Sequence, residues 1–468
     1  MSGRPIASIA VVGGGVAGWS AAAAFAARLK GVSVTVVADP AAPPALVDLI
    51  ATAGPSITDF HHDLGLDERA LLRRVDGVFR LGAAFAGWGP APYLHTHGEH
   101  GEVVAAAPFH HHWLRLDPQA GAFGDFSPAS VLAAAGRFVH PSDDPASPLA
   151  RFNYGLTLDP AAYAETLRRF AMVNGVAERA GPARPAIGGD GRVAHLDLPG
   201  GRLTADLYVD TTGVVADTVA PAWIDWSRWL PVAWLAVGEE PAAALPPSVE
   251  TVTATATGWR LTASLRGRGI VAEASTEPLP GGHRLRSGRR AAAWTGNVAA
   301  VGEAAVALEP LDGVALHLVQ AHADRIVALL PDTDFAAVEL ADFNRQTAAE
   351  AERLRDLLAL RYATSRRGEP LWRDLAATAP SDGLAHDLTL FRERGHLPLH
   401  DGESFAPDSW LAVLIGQGVR PRRVDPVAAG LPLAEAHRIL ARLRAAVTAA
   451  AATAPTHRDY LARFLEGR

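Results

Sequence analysis

The 468-residue chain contains no cysteine, which removes disulfides, thiolate nucleophiles and cysteine-ligated zinc at once. Any chemistry must come from other side chains or from a cofactor. No run resembles a membrane span, because Arg or Glu interrupts the alanine-rich stretches, and the amino terminus reaches its first apolar run without the parts of a signal peptide. A formal net charge of −7 with a pI near 6.2 argues against a general nucleic-acid or anionic-membrane surface. Basic side chains are nearly all arginine. With 49% hydrophobic and 20% charged residues, the composition is that of a soluble globular protein with room for two to three structural units, and the lack of a span or signal peptide leads to the expectation of a cytoplasmic one.

What is present begins with glycine. An apolar run from Ile6 to Val12 meets Gly13-Gly14-Gly15-Val16-Ala17-Gly18, and a helical alanine-rich segment follows. The order strand, glycine turn, helix is that of a dinucleotide site. Gly13 supplies the turn, Gly15 lets backbone approach a pyrophosphate, and Gly18 lets the helix lie close to the strand. Phosphate then sits at the helix N-terminus, where N–H groups and the dipole favour negative charge. Asp39 lies just past the β-rich Val32–Val37, where a ribose-binding carboxylate is expected.

Further along, Asp67–Arg74 and Pro160–Asn174 read as helices, the second with Asp159 as N-cap. Gly77–Trp88 reads as a strand, and 89–150 as irregular loops. Leu207–Gly213 and Trp294–Glu303 read as returns to the nucleotide-binding sheet, split by β structure from Trp223 to Glu277. The chain beyond Phe335 is mostly helical. These features predict an α/β, Rossmann-like flavoprotein-monooxygenase fold. Residues 1–335 form the core, with inserted β segments at about 89–150 and 223–280, and 336–468 form a helical C-terminal part.

Several segments, in order over the whole chain, resemble the flavin-dependent tryptophan halogenase family. They are the opening GGGVAGW, Phe79-Arg80 to Trp88, His112-Trp113-Leu114-Arg115, and Ala205–Asp210 with Gly213. Gly288-Arg289 to Asn297, Leu308-Glu309-Pro310-Leu311, Arg355-Asp356 with Tyr362, and Asp459-Tyr460-Leu461 follow. The resemblance implies FAD, reduced by a separate and transiently bound flavin reductase, since no second nucleotide fingerprint is visible. It implies Gly13, Gly15, Ala17, Gly18, Asp39, Asp210, Gly213, Gly302, Glu303 and Leu316 as cofactor-binding positions. In the family, hypohalous acid formed at the flavin reaches a separate site, where a lysine and a glutamate direct halogenation of an indole.

Both directing positions are altered: Arg80 stands at the lysine position and Asp312 at the glutamate position. Arginine stays charged and cannot form an N-halo amine as a deprotonatable lysine can. After Asp312 the chain reads Gly313-Val314-Ala315, without the hydroxyl that sits near halide in the family. The WxWxIP signature is reduced to Trp259 in Trp259–Ser264. The flavin-facing GVGEAT becomes Val47-Asp48-Leu49-Ile50-Ala51-Thr52, with Leu49 and Ile50 expected to crowd the ring. His95 and His97 match the pair that sandwiches the indole, and Trp410 a further wall.

The segment before Trp410 is short and lacks the tyrosine-rich grip on free tryptophan. The histidine spacing matches no structural-zinc pattern, so no metal is expected. The expected activity is an FAD-dependent oxidation, by reduced flavin and O2, of an indole- or phenol-like aromatic substrate, free or peptide-borne. A flavin-dependent hydroxylase and a non-catalytic ligand-binding scaffold stand as alternatives, in a monomer or homodimer.

Overall fold

The computed structural model describes residues 3–398, 400 and 402–467. They divide into two compact units. The first comprises 1–77, 158–233 and 284–352, the second 78–157, 234–283 and 353–468. Residues 89–150 and 234–280 thus group with the C-terminal helices, and 223–233 with the first unit.

The first unit is built on a six-stranded sheet. Its order is Trp294–Thr295, Val298–Ala300, Leu207–Asp210, β1 (Ser8–Val12), β2 (Ser33–Ala38), Ala177–Ala180. β1 pairs in parallel with Leu207–Asp210 on one side and β2 on the other. Both expected returns to the sheet are present, since Val298–Ala300 runs parallel to Leu207–Asp210. Such strands are buried on both faces and read as continuous Val, Ile and Ala. Helix α1 (Gly15–Arg28) follows β1. Ala21 to Ala24 and Phe25 are fully buried, and α1 packs against Pro160–Val173 and Val314–Ala328. A Cβ on Gly18 would stand 1.9 Å from the Gly13 carbonyl oxygen, so only glycine permits this helix-to-strand approach. A four-residue helix, α2 (Leu46–Leu49), lies after β2.

The second unit holds an antiparallel sheet in which Trp234–Pro241, Arg268–Ser275, Gly258–Ser264 and Val249–Ala254 are successive neighbours. Gly82–Ala86 joins Val249–Ala254 in parallel, and Tyr93–Thr96 follows. The single strand expected over Gly77–Trp88 is two strands, Val78–Arg80 and Gly82–Ala86. They part at Leu81, and the second opens at Gly82, where φ is +145° and a Cβ would meet the His95 carbonyl oxygen at 2.2 Å. The stretch 89–150, read as loops, contains helices Phe109–Leu116 and Pro128–Ala134. Its Gly and Pro content concealed them. Phe79 stacks on Phe138 with centroids 4.3 Å apart, and Tyr460 and Phe464 meet Phe79 edge-on. That cluster secures the last helix, His457–Glu466.

Candidate active site

In the first unit the glycine turn has the expected form, with Gly13 at φ +119° and Gly15 at φ +68°. The Gly13 N–H donates to the Val37 carbonyl at 2.9 Å, which ties the turn to β2. The anion position at the start of α1 is filled from within the chain. The Asp48 carboxylate accepts the Val16 N–H at 2.6 Å and the Ala45 N–H at 3.1 Å. It lies so close over Gly15 that a Cβ there would meet Oδ1 at 2.4 Å. Gly15 therefore makes room for a carboxylate, where the sequence suggested a pyrophosphate. Burial raises the Asp48 carboxyl above its ordinary value, with the two backbone N–H groups opposing.

Glu303 anchors the same segment, its Oε2 accepting the Leu46 N–H at 2.9 Å. Burial raises this carboxyl as well, and Asp48 adds to the effect. Ala17, Leu46, Val47, Glu303, Ala315 and Leu318 surround a cavity of only about 10 Å³. Leu46 and Val47, from the start of α2, are thus among the residues that close this space. Leu316 is buried in the helix Val314–Ala328.

Asp210 is fully bonded within its own turn. Its carboxylate accepts the Thr212 N–H and hydroxyl, the Gly213 N–H, and the Val215 and Ala216 N–H groups, all between 2.8 and 3.0 Å. It organises the turn around Gly213, at φ +89°. Asp39 takes the Ala41 N–H at 2.9 Å in a local turn. Gly302 donates to Nδ1 of the buried His322 at 3.1 Å. Asp312, 2% exposed, has φ +57° and precedes Gly313 at +77°. Two successive left-handed residues open the helix at Val314, a conformation Asp tolerates better than most side chains. A Cβ on Gly313 would meet the Gly54 nitrogen at 2.8 Å, so the turn sits tightly on 52–54.

In the second unit Arg80 is 1% exposed and belongs to a charged network that sequence reasoning missed. Its Nη2 donates to Glu250 at 2.6 Å, and its Nη1 lies 2.8 Å from His97 Nε2. His95 Nδ1 lies 3.0 Å from Nη2 of Arg361, whose guanidinium stands 4.4 Å from the Phe85 ring centroid. The two histidines expected to sandwich a substrate are therefore engaged by arginines. Glu250 sits on a strand of alternating burial, Val249–Ala254, and carried no motif.

Trp410 lines a cavity of about 170 Å³ with Phe405, Pro407, Arg353, Glu403, Asp387 and His400 among its other walls. Arg353 lies 4.4 Å from the Trp410 ring centroid and bonds Asp387 at 2.8 Å and Glu403 at 2.9 Å. Trp410 Nε1 donates to Glu403 at 3.2 Å. Phe405 lies 5.9 Å from the His95 ring, joining the histidine to the cavity wall. An aromatic wall with fixed polar groups is the usual form of a small-molecule site. The cavity is about as large as the ~150 Å³ that holds one benzene ring in an apolar site, here with Arg353, Asp387, His400 and Glu403 in its wall. The other histidines have separate bonds, His110 to the Gly395 carbonyl and His112 to that of Val104. Among the described residues no three His, Asp or Glu side chains converge as a metal site.

The tryptophan halogenase family model matches residues 8–272 and 271–432. The chain belongs to the tryptophan halogenase family. Tryptophan 7-halogenase RebH of Lentzea aerocolonigenes is 26% identical over 451 residues, 84% of this chain and 83% of that protein. Two solved flavin-dependent halogenases superpose with a TM-score of 0.91: BrvH from Brevundimonas sp. BAL3 at 31% identity and Xcc4156 from Xanthomonas campestris at 29%. Each comparison covers 98% of this chain and 99% of the other. The fold is thus the mixed α/β fold of flavin-dependent halogenases, and the family is one of oxidoreductase enzymes. Among the described residues no helix is long and apolar enough to cross a membrane.

Proposed function

We propose that this chain is an FAD-dependent oxidoreductase acting on an indole- or phenol-like group seated against Trp410, with reduced flavin supplied by a separate reductase. The observation that carries the reading is the Trp410–Phe405 cavity in a chain of this family. The residues of the first unit fit the diphosphate end of FAD. Gly13 and Gly18 close the tight strand-to-helix turn, where a Cβ would strike Thr211 or the Gly13 carbonyl oxygen, and the Asp48 carboxylate over Gly15 marks the start of α1 as an anion position. Reduced flavin supplies electrons to O2. The chain's own groups do the rest: Trp410 and Phe405 hold the ring, and Glu403 fixes the indole N–H of Trp410. Arg80 keeps a permanent positive charge whose place is set by Glu250 and His97.

A second reading, oxygen transfer in place of halogen transfer, is favoured by one observation. The sequence holds a single lysine, Lys30, and it lies exposed just beyond α1. The chain therefore has no buried lysine to carry an electrophilic halogen. Anaerobic titration with oxidised and reduced FAD, followed by turnover with indoles, phenols and tryptophan-containing peptides in chloride or bromide, tests both readings. Oxidised or halogenated product identified by mass supports the enzyme, and the mass decides which group is transferred. Failure of both flavin forms to bind at high micromolar concentration would overturn it.

A further inference from the structure

We propose that Asp48 is an intramolecular competitor of the flavin diphosphate, so that FAD binds only when Asp48 yields the start of α1. The inference rests on the flavin reading above and concerns the one residue that stands where the diphosphate belongs.

Three observations support it. The Val16 N–H, in the first turn of α1, is donated to Asp48 at 2.6 Å. A diphosphate held at this helix start needs the same donors and the same positive end of the dipole. The carboxylate also fills the space over Gly15 that the glycine leaves, with both oxygens within 2.5 Å of where a Cβ would be. Two anions cannot share that volume. Finally, the segment carrying Asp48 is held at two points, through Asp48 itself and through the Glu303 bond to the Leu46 N–H at 2.9 Å. The position corresponds to valine in the GVGEAT run that the sequence resembles, and valine has no acceptor. The anion is therefore this chain's own addition.

The arrangement makes opposite predictions for the apo protein and for its ligand. While Asp48 caps α1 it stabilises the apo fold, as carboxylates at helix starts do. The same contact weakens FAD, which must displace it. The test compares the full chain with Asp48→Asn and Asp48→Ser, using calorimetric titration with FAD and thermal unfolding without it. Asp190→Asn, at an exposed turn of the same unit, controls for loss of one negative charge. The expected result is that both Asp48 variants bind FAD at least about tenfold tighter than the parent while their apo forms melt at lower temperature. The Asp190→Asn protein should match the parent in affinity.

Equal FAD affinity in parent and Asp48 variants would overturn the competitor role and leave the flavin reading standing. A gain in Asp190→Asn equal to that in Asp48→Asn would overturn it too, by assigning the effect to net charge. Absence of FAD binding in every protein would overturn the flavin reading and the competitor with it. Asp48→Asn removes the charge and keeps the volume, whereas Asp48→Ser also clears the space over Gly15, so a gain confined to Asp48→Ser assigns the competition to volume and a gain in both assigns it to charge.

Discussion

Arg80 and Glu250 form an ion pair at 2.6 Å with side chains 1% and 0% exposed. The pair joins Val78–Arg80 to Val249–Ala254, strands distant in sequence, and places a fixed cation where the family resemblance puts a lysine. Removing two charges from water is costly, and their attraction offsets that cost only while both are present.

Truncating one partner should therefore be severe. Glu250→Ala is expected to lower unfolding free energy by about 3–5 kcal/mol, because Arg80 stays charged in a buried site. Replacing both residues together, Arg80 by Met and Glu250 by Leu, should recover most of that loss. Urea unfolding of the two proteins measures the difference. A Glu250→Ala protein as stable as the parent would show that the pair is not the main support of Arg80.

Restoring lysine at position 80 by itself should not confer halogenation. In Arg80→Lys the ammonium remains beside Glu250, which holds it protonated and unreactive toward an electrophilic halogen. Mass analysis of indole incubated with the Arg80→Lys enzyme, reduced FAD and bromide is expected to show no gain in brominated product. A brominated product from that single change contradicts the charge-pair argument.

Stability should fall as pH is lowered from about 6.5. Burial lowers His61 and His322 from 6.5 to about 3 and His457 to about 4. Below 6.5 the unfolded chain takes up protons that the folded one refuses, so each histidine removes stability until its folded value is reached. The slope is at most about 1.4 kcal/mol per pH unit for each. Burial alone would raise Glu350, but His317 and Arg325 hold it well below the ordinary carboxylate range. Its contribution is present above about 4.5 and lost below it, with the same sign. Urea midpoints between pH 7 and pH 4 should drop continuously, and His61→Leu should flatten the upper part of the curve.

Gly18→Ala should remove FAD binding and destabilise the first unit together. The added methyl would lie 1.9 Å from the Gly13 carbonyl oxygen, so α1 must move away from β1. FAD titration and melting of this variant are expected to fail together. A variant that melts lower yet binds FAD unchanged would separate the cradle from the ligand.

Trp410→Ala should weaken an indole or phenol ligand by about tenfold or more, because the ring loses its largest apolar wall. Glu403→Gln keeps a partner for the Trp410 N–H but removes the charge that holds Arg353. It should weaken the ligand less. Tryptophan fluorescence titration of both variants distinguishes packing from charge at this cavity.

The sequence by itself determined the glycine turn, the parallel returns at Leu207–Asp210 and Val298–Ala300, and the capped helix at Pro160. In each, the signal is local: a residue type that the neighbouring backbone requires, or an unbroken apolar run between turn residues. By resemblance it also sets Arg80 and Asp312 at positions where the family has a lysine and a glutamate. The helices at Phe109 and Pro128 were concealed because tertiary burial of Phe109, Trp113 and Leu132 outweighs the turn-forming residues around them. The partners were decided by tertiary structure alone. Asp48 reaches Val16, Glu250 reaches Arg80 and Arg361 reaches His95 across 32, 170 and 266 positions of chain. A buried charge needs its counterpart in space, and no local pattern in the sequence records which distant residue the fold will bring to it.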